Sequence, residues 1–202
     1  MHPNPAFRAE TRARALALVR ERGFGTLAVN AGPAPLLSHV PLLLSEDGES
    51  ADLHLVRSNP IARLGETPAV IAVMGPDAYV SPDWYGVPDQ VPTWNYAAVH
   101  LRGTLRPLPV GDMQDMLDRQ SAAYEERLAP KRPWTTAKMD PDALARMMRQ
   151  ILPFRLEVDA VDATFKASQN KPDAVRLRAA SAVEGGRIGQ EAGAMAKLMR
   201  DG

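Results

Sequence analysis

The 202-residue chain contains no cysteine. That excludes a disulfide scaffold, a thiolate zinc site, an iron–sulfur cluster and a cysteine nucleophile. It also lacks any excess of charge, with 24 basic residues against 24 acidic ones. A formal net charge of zero exerts no global pull toward nucleic acid or anionic lipid. No apolar run reaches the roughly 18 residues that a transmembrane helix needs. The N-terminal stretch MHPNPAFRAETRAR is polar and Arg-bearing, without an apolar segment of signal-peptide type. The expected location is the cytoplasm. Gly-x-Gly-x-x-Gly and Walker patterns are missing, and so are HxH and HExxH spacings among His2, His39, His54 and His100. No metal site is expected.

What is present reads as an ordinary folded domain, 45% hydrophobic and 24% charged. Eighteen prolines punctuate the chain and favour short strands over long helices. Residues 10–23 read as a helix stopped by Gly23. Strands are expected at 24–30, at 35–44 with Pro41 marking an edge or bulge, and at 53–57 after a turn at Glu46–Glu49. Asn59-Pro60 opens a short helix to about Leu64. The apolar run 69–74 is a buried strand continued by 78–81, and a proline-rich loop covers 82–92. The longest strand candidate is 93–108, bending near Gly103. Helices follow at 112–127 and 140–151, then a last strand at 154–161. The chain is polar beyond Gln169, with a helix expected at 187–200. Antiparallel hairpins with helices at the ends predict a mainly β (α+β) small barrel. The division is one domain over 1–172 and a polar, helical tail over 173–202.

Three segments carry candidate chemistry. In Arg57-Ser58-Asn59-Pro60 a strand delivers a guanidinium to a helix start, a combination that suits a phosphate monoester and equally a plain N-cap. In Thr93-Trp94-Asn95-Tyr96, Trp94 and Tyr96 share one strand face and Asn95 the other. The Trp94 face continues to His100 and Arg102, and reads as a platform for a ring system or as a dimer edge. Lys166-Ala167-Ser168-Gln169-Asn170-Lys171 gathers donors and acceptors that suit an anion or a heterocycle edge, or an ordinary polar loop.

Three blocks together resemble a known family: Asp77–Tyr85, Val91–Tyr96 with Val99-His100 and Gly103, and Lys166–Asn170. Ser38-His39-Val40-Pro41-Leu42, Arg57-Ser58-Asn59-Pro60 and Pro133-Trp134 stand in the matching order. The sequence is similar to the PaiB family of FMN-binding, negative transcriptional regulators over about residues 1–172. The resemblance implies an FMN-binding split β-barrel of the pyridoxamine 5′-phosphate oxidase type. It also implies a homodimer with FMN at the subunit interface. Arg57, Ser58 and Asn59 would hold the FMN phosphate. Trp94, Asn95 and Tyr96 would lie near the isoalloxazine or the dimer seam. His39, Lys166, Ser168, Gln169 and Asn170 match further family blocks and complete the expected FMN site.

Two other functions stay open at this stage. One is a flavin-dependent oxidoreductase or flavin reductase acting on a small molecule, in which FMN carries the redox chemistry and no side chain stands out as catalytic. The other is a barrel that has lost flavin and serves as an interaction module. That reading rests on the loop Gly86–Gln90, which lacks the lysine the family carries there. Direct DNA binding has little support, because there is no helix-turn-helix pattern and no strong basic stripe.

Overall fold

The computed structural model describes residues 2–8 and 11–201. Its six strands are β1 (Phe24–Val29), β2 (Leu36–Leu44), β3 (Ser50–Val56), β4 (Thr67–Val80), β5 (Thr93–Pro107) and β6 (Ile151–Lys166). Five α-helices accompany them: α1 (Arg12–Arg22), α2 (Met113–Glu126), α3 (Pro141–Met148), α4 (Asp173–Glu184) and α5 (Ala192–Asp201). The strands close into a barrel in the order β1-β2-β3-β6-β5-β4. The barrel with flanking helices is the fold class expected above.

The residues form two compact units. One comprises Met1–Leu18, Val73–His100 and Asp162–Gly202, the other Val19–Ala72 and Leu101–Val161. In the second unit the strand pairs are antiparallel, with Leu27 opposite Ser38, Leu42 opposite Leu53 and Leu53 opposite Phe154. Strand alternation sends Leu27, Val29, Val40, Leu42, Leu44, Leu53 and Leu55 inward. Each such side chain contributes about 1.5–3 kcal/mol of burial. The rungs from β2 to β3 run from Leu42 to Leu44. Pro41 lies just outside that ladder and opposite Phe24 of β1, so β2 is an interior strand and not the edge that Pro41 suggested, and the missing N–H costs no rung with β3. Gly103 is needed where β5 meets β6, since a Cβ there would sit 1.7 Å from the Glu157 carbonyl oxygen. Tyr124 on α2 donates to the Gly23 (2.5 Å) or Leu42 (2.9 Å) carbonyl and so pins the helix to the start of β1 and the middle of β2.

In the first unit, α4 and α5 pack on the end of β4 around Ala78, Val80, Tyr85, Ala179, Ala180, Val183, Met195, Ala196 and Met199. Arg176, itself buried, donates to the carbonyls of Met199 and Arg200 at the end of α5. The segment before α5 adds backbone bonds to β4, from Asp77 N to Gln190 O and from Tyr79 N to Ile188 O.

Several boundaries differ from those expected. The last strand begins at Ile151 and runs on to Lys166 instead of covering 154–161, because Thr164 and Phe165 are still buried. The runs 69–74 and 78–81 are one strand, β4, which passes through Gly75-Pro76 without a break. Residues 173–184 form a helix that the polar composition concealed, since its buried face is made of Ala179, Ala180 and Val183 around an arginine. The expected 140–151 helix is shorter, because β6 takes over at Ile151.

Asp52 on β3 is the most buried carboxylate of the second unit, and it accepts from Arg155 Nε (2.7 Å) and Arg119 Nη2 (3.0 Å). Burial pushes its pKa up, but the two guanidinium groups outweigh that and hold it below the ordinary 3.8. A carboxylate with a lowered folded pKa stabilises above its unfolded pKa and loses that contribution as pH falls through the folded value. Asp52→Asn should therefore cost about 1–3 kcal/mol in urea unfolding at neutral pH. The gap between wild type and variant should shrink as pH drops below 3.8. A gap independent of pH would refute the assignment.

Candidate functional site

The start of β5, the end of β6 and the turns beside them build a polar cavity in the first unit. Its volume is about 260 Å3, and its walls include Phe7, Tyr85, Asn95, Lys166, Ser168 and Lys171. Alternation along β5 turns Asn95 inward, fully buried, and leaves Trp94 exposed on the opposite face. Beyond β6 the chain turns sharply, with Ser168 at a φ of 61°. A non-glycine residue held there marks a turn fixed by its surroundings.

Those surroundings are a hydrogen-bonded row. Asn95 Nδ2 donates to Ser168 Oγ (2.9 Å), and Ser168 Oγ lies 2.8 Å from the Tyr85 hydroxyl. Burial raises the Tyr85 pKa, with the bond to Ser168 opposing it in part, so the phenol stays protonated. Gln169 secures the same turn. Its Oε1 accepts from Ala167 N (2.8 Å), and its Nε2 donates to the carbonyls of Phe165 (2.5 Å) and Ala6 (3.1 Å).

Two ammonium groups reach the cavity. Lys166 Nζ donates to Thr93 Oγ1, and Lys171 Nζ donates to Gln90 Oε1 while lying 4.6 Å from the Tyr85 ring centroid. Neither lysine pairs with a carboxylate among the described residues, although Asp89 also lines the cavity. Burial pushes the Lys166 pKa down. Asn95 Oδ1 is buried and has no hydrogen-bond partner among the described residues.

The structure thus brings together Asn95, Lys166, Ser168 and Asn170 of the sequence-predicted residues. Gln169 spends its amide on backbone groups. Trp94 is tied to the outer surface, where its Nε1 donates to Asp77 Oδ1 (3.0 Å) and its ring meets Tyr79 edge-on. Tyr96 shares that outer face of β5, partly buried. The other predicted residues belong to the second unit. There Asn59 caps a short 3-10 turn through Ile61 N (2.9 Å) and donates to Ser38 Oγ (3.1 Å). Arg57 Nε donates to the Arg149 carbonyl, Ser58 is exposed, and His39 bonds Thr26 Oγ1 (3.0 Å). Sequence reasoning did not single out Tyr85, Gln90 or Phe7 as site residues, and it placed Lys171 in a candidate segment without giving it a role at the flavin. Tyr85 closes one of the quoted blocks and Lys171 ends another, whereas nothing local marks Phe7.

A six-stranded closed barrel flanked by helices defines a split β-barrel of the flavoprotein type. The FAD and heme binding protein from Mycobacterium smegmatis has this fold, with a TM-score of 0.58 at 18% identity over 91% of this chain and 82% of that one. The flavocytochrome Anf3 from Azotobacter vinelandii has it too, with a TM-score of 0.56 at 9% identity over 82% and 72%. Residues 1–160 match the family described as "Putative FMN-binding domain". The protein PAI 2 of Bacillus subtilis, described as a protease synthase and sporulation protein, is 31% identical over 157 residues, which are 76% of this chain and 74% of that protein. The chain belongs to this FMN-binding family, that of PaiB, and FMN is its cofactor. The family match ends at residue 160, before Lys166–Lys171. The cavity fits one end of a flavin: unpaired ammonium groups and a free amide acceptor are its polar complement, and it is smaller than the about 300–1,000 Å3 typical of a whole ligand site. Among the described residues, no helix is long and apolar enough to cross a membrane.

The depressed Lys166 pKa has a measurable consequence. Between the lowered folded value and the ordinary 10.5 the unfolded chain binds more protons, so stability rises with pH across that window. Lys166→Met should remove this slope. Urea unfolding of wild type and variant from neutral pH upward checks it, and parallel curves would show that the lysine is not desolvated.

Proposed function

We propose that the protein works as a cytoplasmic homodimer that binds FMN, in the manner of a PaiB-type regulator. We assign residues 1–172 to the flavin-binding domain and 173–202 to a helical tail that packs on the end of β4. The observation that carries the flavin reading is the cavity with Asn95, Lys166, Ser168 and Asn170 on its wall, where two ammonium groups have only neutral oxygens as partners among the described residues. Family membership supplies the identity of the ligand.

In this reading Arg57, Ser58 and Asn59 take the FMN phosphate, with His39 close in sequence to the Ser38 that Asn59 bonds. Among the described residues Arg57 donates through Nε alone, which leaves its two terminal amino groups to meet a phosphate. Lys166, Ser168, Gln169 and Asn170, with Trp94, Asn95 and Tyr96, serve the flavin ring or the dimer seam. Gln169 acts by holding the turn in shape. FMN, when bound, supplies hydride or electron transfer. The cavity has no histidine and a single carboxylate, Asp89, so the chain's own part is to bind and orient the cofactor. A zero net charge gives DNA no long-range attraction, and any regulatory output then runs through a partner or a small molecule.

Flavin titration followed by visible absorbance and fluorescence tests this. The wild type should bind FMN, and Arg57→Ala should weaken FMN at least about tenfold while changing riboflavin far less. Equal weakening of both ligands would remove Arg57 from the phosphate site. Sedimentation of the flavin-loaded protein should give a dimer.

A further inference from the structure

In the second unit a cavity of about 700 Å3 lies between α2 and the loop that follows it, and none of its residues is among those assigned to FMN. That volume falls within the about 300–1,000 Å3 of sites that hold a whole small molecule. Asp118, Glu125 and Glu126 line it from one face of α2, and Lys131 and Trp134 line it from the loop. Polar bonds shape this loop in place of a core, since no residue from 127 to 150 is buried. Thr136 Oγ1 donates to Asp118 Oδ1 (2.8 Å), and Trp134 N donates to Glu125 Oε2 (2.8 Å). The loop that bears the indole is thereby fastened to the helix, while Trp134 stays exposed.

Charge on the cavity wall is unevenly met. The hydrogen bond from Lys131, the Trp134 N–H and the charge of Lys138 together hold the Glu125 pKa below the ordinary 4.5. The other bonds of these two lysines go to the carbonyls of Arg132 (3.3 Å) and Pro133 (2.8 Å). Asp118 has only the neutral Thr136 hydroxyl, and Glu126 has no side-chain partner among the described residues. Two carboxylates without a cation beside an indole are the complement of an ammonium group on an apolar body. We infer that this cavity binds a small organic cation, a protonated amine on an apolar body, with Asp118 and Glu126 supplying the counter-charge and Trp134 the apolar and cation–π contact. An anion would face two uncompensated carboxylates. A metal ion needs ligands that converge, and among the described residues no group of three His, Asp or Glu side chains could hold one. A neutral molecule would fill the volume and leave both carboxylates without a cation. The site stands independently of FMN.

Calorimetric titration of the full-length protein with benzylamine, benzyl alcohol and benzoate varies the charge on a single ring. Benzylamine, protonated at neutral pH, should bind at least about tenfold more tightly than benzyl alcohol, and benzoate more weakly than either. Added salt should weaken benzylamine far more than benzyl alcohol. Asp118→Asn combined with Glu126→Gln should bring benzylamine down to the affinity of benzyl alcohol, while the carboxamide at 118 can still accept from Thr136. Glu126→Gln alone, at an exposed position, serves if the double variant does not fold, and it should narrow the gap between the two ligands. Equal affinity of the wild type for benzylamine and benzyl alcohol, or a gap that the carboxamides leave intact, overturns the assignment. So does a wild-type protein that binds none of the three, as it would if a second copy of the chain filled the cavity.

Discussion

The row from Tyr85 through Ser168 to Asn95 is the constraint on which the site of the first unit depends. It joins three stretches far apart in sequence: the turn after β4, the start of β5 and the turn after β6. All three side chains are buried, so each bond forms without competition from water, and losing any member would strand the others. Ser168, in the middle of the row, has a left-handed backbone, and Gln169 secures that turn with bonds to three backbone groups. The lysines on either side of the turn, Lys166 and Lys171, are thereby aimed at one cavity.

The unit holding this cavity draws on both ends of the chain. The N-terminal turn supplies Phe7 to the cavity wall, and His2 N donates to Thr164 Oγ1 on β6. The C-terminal helices cover Tyr85 with Ala179, Ala180, Val183, Met195 and Met199. A helix pair that looks like an appendage in sequence is thus part of what keeps the Tyr85 hydroxyl dry. The second unit rests on a different device, an aspartate held between two arginines on the strand pairing of β3 and β6.

Much of this was legible in the residues. Alternation along 93–101 put Trp94 and Asn95 on opposite faces, because strand side chains alternate with period two, and the structure buries the Asn95 face. The Asn59-Pro60 cap and the hairpin at Glu46–Glu49 follow from local backbone chemistry. The helix at 173–184 was not legible, since alanines and an arginine on its buried face give little hydrophobic contrast. Nor was the extent of β6, whose last residues are buried by distant partners such as the N-terminal turn.

The sequence by itself determined the barrel class, the family and the ligand it takes, because short proline-punctuated strands and ordered motif blocks are local properties. Only the tertiary structure decided which polar residues share a cavity. It separated Asn95, Lys166, Ser168 and Asn170 from Gln169, which serves the backbone, and from Trp94, which serves the surface. It also brought in Tyr85 and Phe7. The reason is physical: whether a donor is spent or free depends on neighbours that lie 70 or more positions away, as Lys166 to Thr93 and Asn95 to Ser168 do (each |i−j| = 73). No local pattern encodes that.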